Sequence, residues 1–201
     1  VRQRLRMRDE AGALALVERL DARGAGDLRA VSLVLDATWA RALHEGFFGR
    51  YPQRAIAASR ELLARTQSAA TPAAAAVLVA QADKLLVWAI ARFPSEHELY
   101  RELGMRHWAD APFLGRLATT CLAEAGASPQ PARWERLGYL FQARAEALQS
   151  RLQSAYQLYL AAAESVPDES ALALIEAGKI AASLDRREWL QDTLMRLALV
   201  P

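Results

Sequence analysis

One recurrence constrains this chain's fold more than any other feature. YRELG stands at residues 100–104 and WERLG at 134–138, an aromatic–charged–charged–Leu–Gly shape that returns after 34 residues. One such pair can arise by chance in a chain rich in Leu and Ala. A structural repeat demands more, because other positions must then keep the same offsets outside the two words. The background favours helix: Ala and Leu dominate, β-branched residues are sparse, and no segment alternates apolar and polar residues as a strand does. Apolar residues recur instead at three and four, as in Leu86, Ala89, Ile90 and Phe93, or Ala155, Leu158, Tyr159 and Ala162.

Gly and Pro divide this helical text. Gly24 and Gly26, Tyr51-Pro52, Thr71-Pro72, Pro112, Pro129 with Pro131, and Pro167-Asp168 mark connections. They predict about ten helices, near 9–23, 27–49, 53–68, 72–92, 96–110, 113–126, 131–149, 151–166, 169–183 and 187–199. Thr71 reads as an N-cap, and Ser95–Glu98, Ser150–Gln153 and Asp185–Glu188 have capping-box spacing. Short connections make successive helices antiparallel, so the expected fold is all-α, a series of helical hairpins.

Other positions do keep step. Trp134, Leu137, Gly138 and Phe141 share their spacing with Tyr100, Leu103, Gly104 and His107. Ala82, Leu86, Ala89 and Pro94 share theirs with Ala155, Tyr159, Ala162 and Pro167, and Pro94 lies six residues before Tyr100. Between Phe141 and Ala155 the chain runs about five residues longer than the pattern, which predicts a lengthened helix and a restart at Ser150. These residues resemble the tetratricopeptide repeat, a 34-residue helix–turn–helix unit with W-x2-L-G-x2-Y in its first helix and A-x3-F before a closing Pro.

The resemblance implies one solenoid domain over 1–201, with hairpins stacked as a right-handed superhelix. Its clearest repeats cover 72–167. Residues 1–71 are degenerate repeats or a helical cap, and 168–201 form a degenerate C-terminal repeat in which Gly178 falls one place out of step with Pro167. Gly104 and Gly138 would let helices approach closely, with Trp134 and Phe141 filling the space beside them. The resemblance also implies a concave groove, lined one, two, five and eight residues beyond each leading aromatic. Those places are Arg101, Glu102, Met105 and Trp108, then Glu135, Arg136, Tyr139 and Gln142. Met105, Trp108 and Tyr139 would make an adaptable apolar patch flanked by arginines, a mixture enriched in binding hot spots. The competing expectation is that the same residues only pack against the next repeat. A family variant that clamps a C-terminal carboxylate uses Asn where Met105 and Tyr139 stand, so that clamp is not implied.

Chemistry-bearing patterns do not emerge. His44, His97 and His107 lack metal-ligand spacing, the ten glycines are scattered rather than gathered in a phosphate loop, and no G-x-S-x-G elbow occurs. No cofactor or metal is expected. Cys121 is the single cysteine and reads as a small buried hydrophobe. Basic and acidic residues interleave to a net charge of +2, so nucleic acid is not an expected partner. The longest uncharged run, TQSAATPAAAAVLVAQA at 66–82, falls short of the ~20 apolar residues of a membrane span. The start, VRQRLRMR, reads either as a solvated helix start or as the segment just inside a membrane anchor, which would tether a cytoplasmic domain to the inner membrane.

The functional expectation is a non-catalytic protein–protein interaction scaffold in a bacterial membrane-associated assembly, such as secretion or exopolysaccharide synthesis and export machinery. Alternatives are homo-oligomerisation through solenoid ends, where WLQDTLMRLALVP is apolar almost to its last residue, a helical enzyme without a recognisable motif, and a nucleic-acid reader using the N-terminal arginines.

Overall fold

A computed structural model describes residues 52–200 and nine scattered positions between 3 and 19. The helix expected at 27–49, with Trp39 and His44, and most of that at 9–23 lie outside the described residues. The rest is all helical. Among the described residues there are eight α-helices and no strand: α1 Pro52–Thr66, α2 Pro72–Arg92, α3 His97–Arg106, α4 Ala111–Ala125, α5 Pro131–Leu148, α6 Leu152–Ser165, α7 Ala171–Ser183 and α8 Arg187–Leu197. A single 3-10 turn, Pro167–Glu169, precedes α7. The expected boundaries agree to within a few residues.

Local chemistry explains the starts. Pro opens α1, α2 and α5, where its missing N–H costs nothing. Thr71 caps α2 as expected, its hydroxyl accepting from the Ala74 N–H at 3.1 Å. Asp110 caps α4 by accepting from the Phe113 N–H at 2.9 Å, a cap the sequence reading did not assign. Two capping boxes need correction. Ser150 and Asp185 do not start helices; they end them, with left-handed φ of 62° and 52°. Ser150 N–H donates to Ala147 O and Arg151 N–H to Glu146 O, both at 3.0 Å. Thirty-five residues later, Asp185 N–H donates to Ala182 O at 3.1 Å and Arg186 N–H to Ala181 O at 2.9 Å. This is the same paired closure of orphan carbonyls at both helix ends. The third box also shifts, since α3 begins at His97, two residues beyond Ser95.

The chain divides into two compact units, Val1–Leu99 and Tyr100–Pro201. In the first, α1 packs on α2, with Ala55, Ala58 and Leu62 buried on one helix and Ala82, Leu85, Leu86 and Ala89 on the other. The expectation that no stretch suits a bilayer is corrected here: α2, at 21 residues, is long and apolar enough to cross a membrane by length and composition. The uncharged run ends at Ala82, but the apolar turns resume beyond the adjacent Asp83–Lys84 pair.

In the second unit the main packing partners are chain neighbours: α4 on α5, α5 on α6, α6 on α7 and α7 on α8. Most positions singled out by spacing are interior, while the closing Pro94 and Pro167 are exposed. Leu137, Phe141, Ala155, Tyr159 and Ala162 are completely buried, and Trp134, Tyr100 and Leu103 nearly so. The lengthened helix appears as α5, 18 residues against 10 in α3. His107 is half-buried and stacks on Phe113, ring centroids 4.0 Å apart.

Gly104 and Gly138 are both crowded, but by different neighbours. A Cβ on Gly104 would run into the Phe141 ring, whereas one on Gly138 would meet the Leu122 side chain and, at 3.4 Å, the Ala118 carbonyl oxygen. Gly178 is looser, its nearest foreign atom the Thr193 methyl at 3.6 Å.

Candidate functional site

Side-chain contacts that skip one helix join α3 to α5, α5 to α7 and the turn before it, and α6 to α8. The Tyr100 ring of α3 meets Trp134 of α5 edge-on, centroids 4.9 Å apart, across 34 residues. Arg136 of α5 donates Nε and Nη2 to the Glu169 carbonyl oxygen at 3.2 and 2.7 Å, 33 residues on. Tyr156 of α6 stacks on Trp189 of α8 at 4.4 Å, again 33 residues on, and its hydroxyl lies 3.2 Å from the Trp189 carbonyl oxygen. Arg196 of α8 reaches back 32 residues to Glu164 of α6 at 2.8 Å.

This lattice decides what each expected groove residue is free to do. Arg136 is 9% exposed, and Nη1 also pairs with the Glu169 carboxylate at 2.8 Å, so its charge is spent inside the unit. Glu102 pairs with Arg106 at 3.7 Å, both largely shielded. Trp108, just past α3, packs against the core of α5, α6 and α7 and lies under the Arg144 guanidinium, 5.3 Å from its ring centre. Arg101, Glu135 and Gln142 are half-buried. Tyr139 rests one side on that same core. Met105 is the most open of the eight, at 39%. The expected arginine-flanked patch thus reduces to Met105 and Tyr139, the fifth residue beyond each leading aromatic, with Gln142 alongside on α5.

Arg144, which is not among the expected groove residues, also organises this face. Nε donates to the Trp108 carbonyl oxygen at 2.9 Å, and Nη1 approaches Glu176 of α7 at 3.7 Å. Glu176 in turn holds Lys179 at 2.6 Å. Beneath lies Tyr159, whose hydroxyl pKa is raised by burial and by Glu176, with Arg144 opposing. The arrangement is a structural clasp: cations and anions alternate, and each mainly neutralises its neighbour. Its signal was available in Glu176 and Lys179 three apart on a helix. The place of α7 was legible too: Leu174, Ala177, Gly178 and Ala181 repeat the spacing of Trp134, Leu137, Gly138 and Phe141, and Leu174, Ala177 and Ala181 are buried. Small side chains in the aromatic places hid it.

Cys121 is fully buried, and burial, with Glu124 nearby, pushes its thiol up to about 12. A thiol held neutral is a poor nucleophile and metal ligand. Among the described residues no three His, Cys, Asp or Glu side chains gather as metal ligands would. A cleft of about 220 Å³ opens beside α8, with Ala163 and Leu174 in its lining and Arg196 at its edge, where it bridges Glu164 and Asp192. No protein-family model, curated protein or solved structure matches this chain.

Proposed function

We propose that residues 100–201 form a tetratricopeptide-like stack of helical hairpins, and that the protein is a non-catalytic scaffold presenting α3, α5 and α7 to a protein partner. One observation carries the reading: contacts that skip one helix recur at a nearly constant 32–34 residues, at Tyr100–Trp134 between α3 and α5, Arg144–Glu176 between α5 and α7, and Tyr156–Trp189 and Glu164–Arg196 between α6 and α8. Stacked hairpins bring alternate helices together layer upon layer, which is the arrangement that leaves an extended surface for binding. The twin turns at Ser150 and Asp185 add independent support.

Met105 and Tyr139 form the apolar centre of the proposed face. Methionine repacks readily and tyrosine combines a rigid apolar ring with a polar tip, the qualities of an adaptable contact. The wider setting, a bacterial membrane-associated assembly of the secretion or exopolysaccharide kind, rests on family analogy. A photo-crosslinking amino acid at Met105 or Gln142 should capture a partner of discrete mass in cells, while the same group at exposed Thr120 on α4 should not. Capture from none of the three, or equally from all, defeats this reading.

A second reading is favoured by α8. Leu194 and Met195 of α8 and Leu199 just beyond it are 55%, 57% and 84% exposed, an apolar outer surface. End-to-end stacking of copies would cover it. A strict monomer by light scattering at high concentration excludes this, and a dimer dissolved by Leu194→Glu with Met195→Glu supports it.

A further inference from the structure

Helix α2 leaves much of its apolar surface uncovered. It is apolar around most of its circumference, yet only 22% of its most apolar stretch is buried. One face, Ala82, Leu85, Leu86 and Ala89, is covered in the packing with α1. The opposite face carries Ala73, Val77, Ala80, Lys84, Val87 and Ala91, spaced three and four apart, and every one is exposed. Val77 and Val87 stand 56% and 55% open, with Val79 at 41% beside them. A helix apolar on all sides normally lies in a protein core or in lipid.

Charge indicates which. Residues 52–99 hold Arg54, Arg60, Arg65, Lys84 and Arg92 against Glu61, Asp83, Glu96 and Glu98, with both of the last two beyond the end of α2, whereas residues 100–201 set eleven basic residues against twelve acidic. The long, largely exposed apolar helix therefore belongs to a hairpin of net positive charge, and anionic headgroups attract such a surface. Full crossing is disfavoured, since Asp83 and Lys84 would fall near the bilayer centre. Lying flat suits both groups better: Lys84 can extend along the apolar face and keep its ammonium among the headgroups.

We propose that the outer face of α2 docks on the surface of an anionic lipid bilayer, through Val77, Val87 and the alanines between and beyond them, with Lys84 and Arg92 meeting the headgroups. The contact is peripheral and independent of the hairpin stack proposed for residues 100–201.

Vesicle co-sedimentation of the whole 201-residue chain tests it. The wild type should bind vesicles of equal phosphatidylglycerol and phosphatidylcholine, bind phosphatidylcholine alone at least tenfold more weakly, and be released by salt. Val77→Asp with Val87→Asp should weaken the anionic binding at least tenfold while the thermal melt stays unchanged. The proposal is overturned if the wild type ignores anionic vesicles, or if the double variant binds them equally well. A lowered melting temperature in the variant also overturns it, because the face would then be covered by the chain itself. So does light scattering that shows the variant dissolving a wild-type dimer, since a second copy would then be the occupant.

Discussion

Glycine-to-alanine exchanges in the second unit separate two opposing effects cleanly. Inside a helix, Ala is favoured over Gly by about 0.5–1 kcal/mol through backbone entropy alone. Gly115 in α4 shows that term undisturbed, since a Cβ there would meet no foreign atom within 4 Å. Gly104 in α3 shows the contrary case. Its Cβ would overlap three carbons of the Phe141 ring, the least crowded of them, Cε2, at 2.9 Å. Phe141 is completely buried, so the ring has no open space to retreat into. Overpacking of this kind costs about 1–3 kcal/mol, and it outweighs the propensity gain. Gly115→Ala should therefore stabilise the protein by about 0.5–1 kcal/mol, and Gly104→Ala should destabilise it by about 1–2 kcal/mol. Urea unfolding followed by tryptophan fluorescence reads both, since Trp134 is buried in the same unit. Adding Phe141→Leu should cost less in the Gly104→Ala background than in the wild type. If Gly104→Ala stabilises as much as Gly115→Ala, the close approach of α3 and α5 at this point is refuted.

The remaining expectations follow from the turns and the core. Ser150→Gly and Asp185→Gly should each raise stability by up to about 1 kcal/mol, because both positions hold a left-handed φ that costs a side chain of L configuration; a loss in thermal melting would contradict the turn geometry. Cys121 has a pKa raised from 9.0 to about 12, first by burial and then by Glu124. Its neutral thiol thus supports the fold fully below pH 9, and that support is lost as the pH climbs to about 12, a term on the order of 4 kcal/mol. Stability should fall along that alkaline limb, and Cys121→Ala should flatten the fall; an unchanged slope would show that the thiol is not sequestered.

The sequence exposed the helices and their interior better than the face they present. Every described helix was found because Pro, Gly and three–four spacing are local signals. The burial of Tyr100, Trp134, Phe141, Ala155 and Tyr159 followed from recurrence alone. The caps were less legible. Ser and Asp with Gln or Glu three residues on read as helix starts, but at Ser150 and Asp185 the chain first had to close the carbonyls of a preceding helix. The residues expected to line a groove could be named by position, but their packing could not. Nothing local reveals that Arg136 would meet the Glu169 carbonyl oxygen, or that Arg144 would cover Trp108, because those partners lie 33 and 36 residues away. The exposed face of α2 was missed for another reason: Asp83 and Lys84 interrupt its apolar run in sequence, yet only Lys84 falls on the outer stripe.

Spin labels at Met105→Cys on α3 and Met195→Cys on α8, both exposed positions, in a Cys121→Ala background, give the distance that tests the hairpin stack most directly. With layers roughly 10 Å apart, stacking places these helices two layers from one another and predicts a separation beyond about 20 Å by pulsed electron resonance. A closed bundle brings first and last helices side by side, and a narrow distribution below about 15 Å would contradict the account.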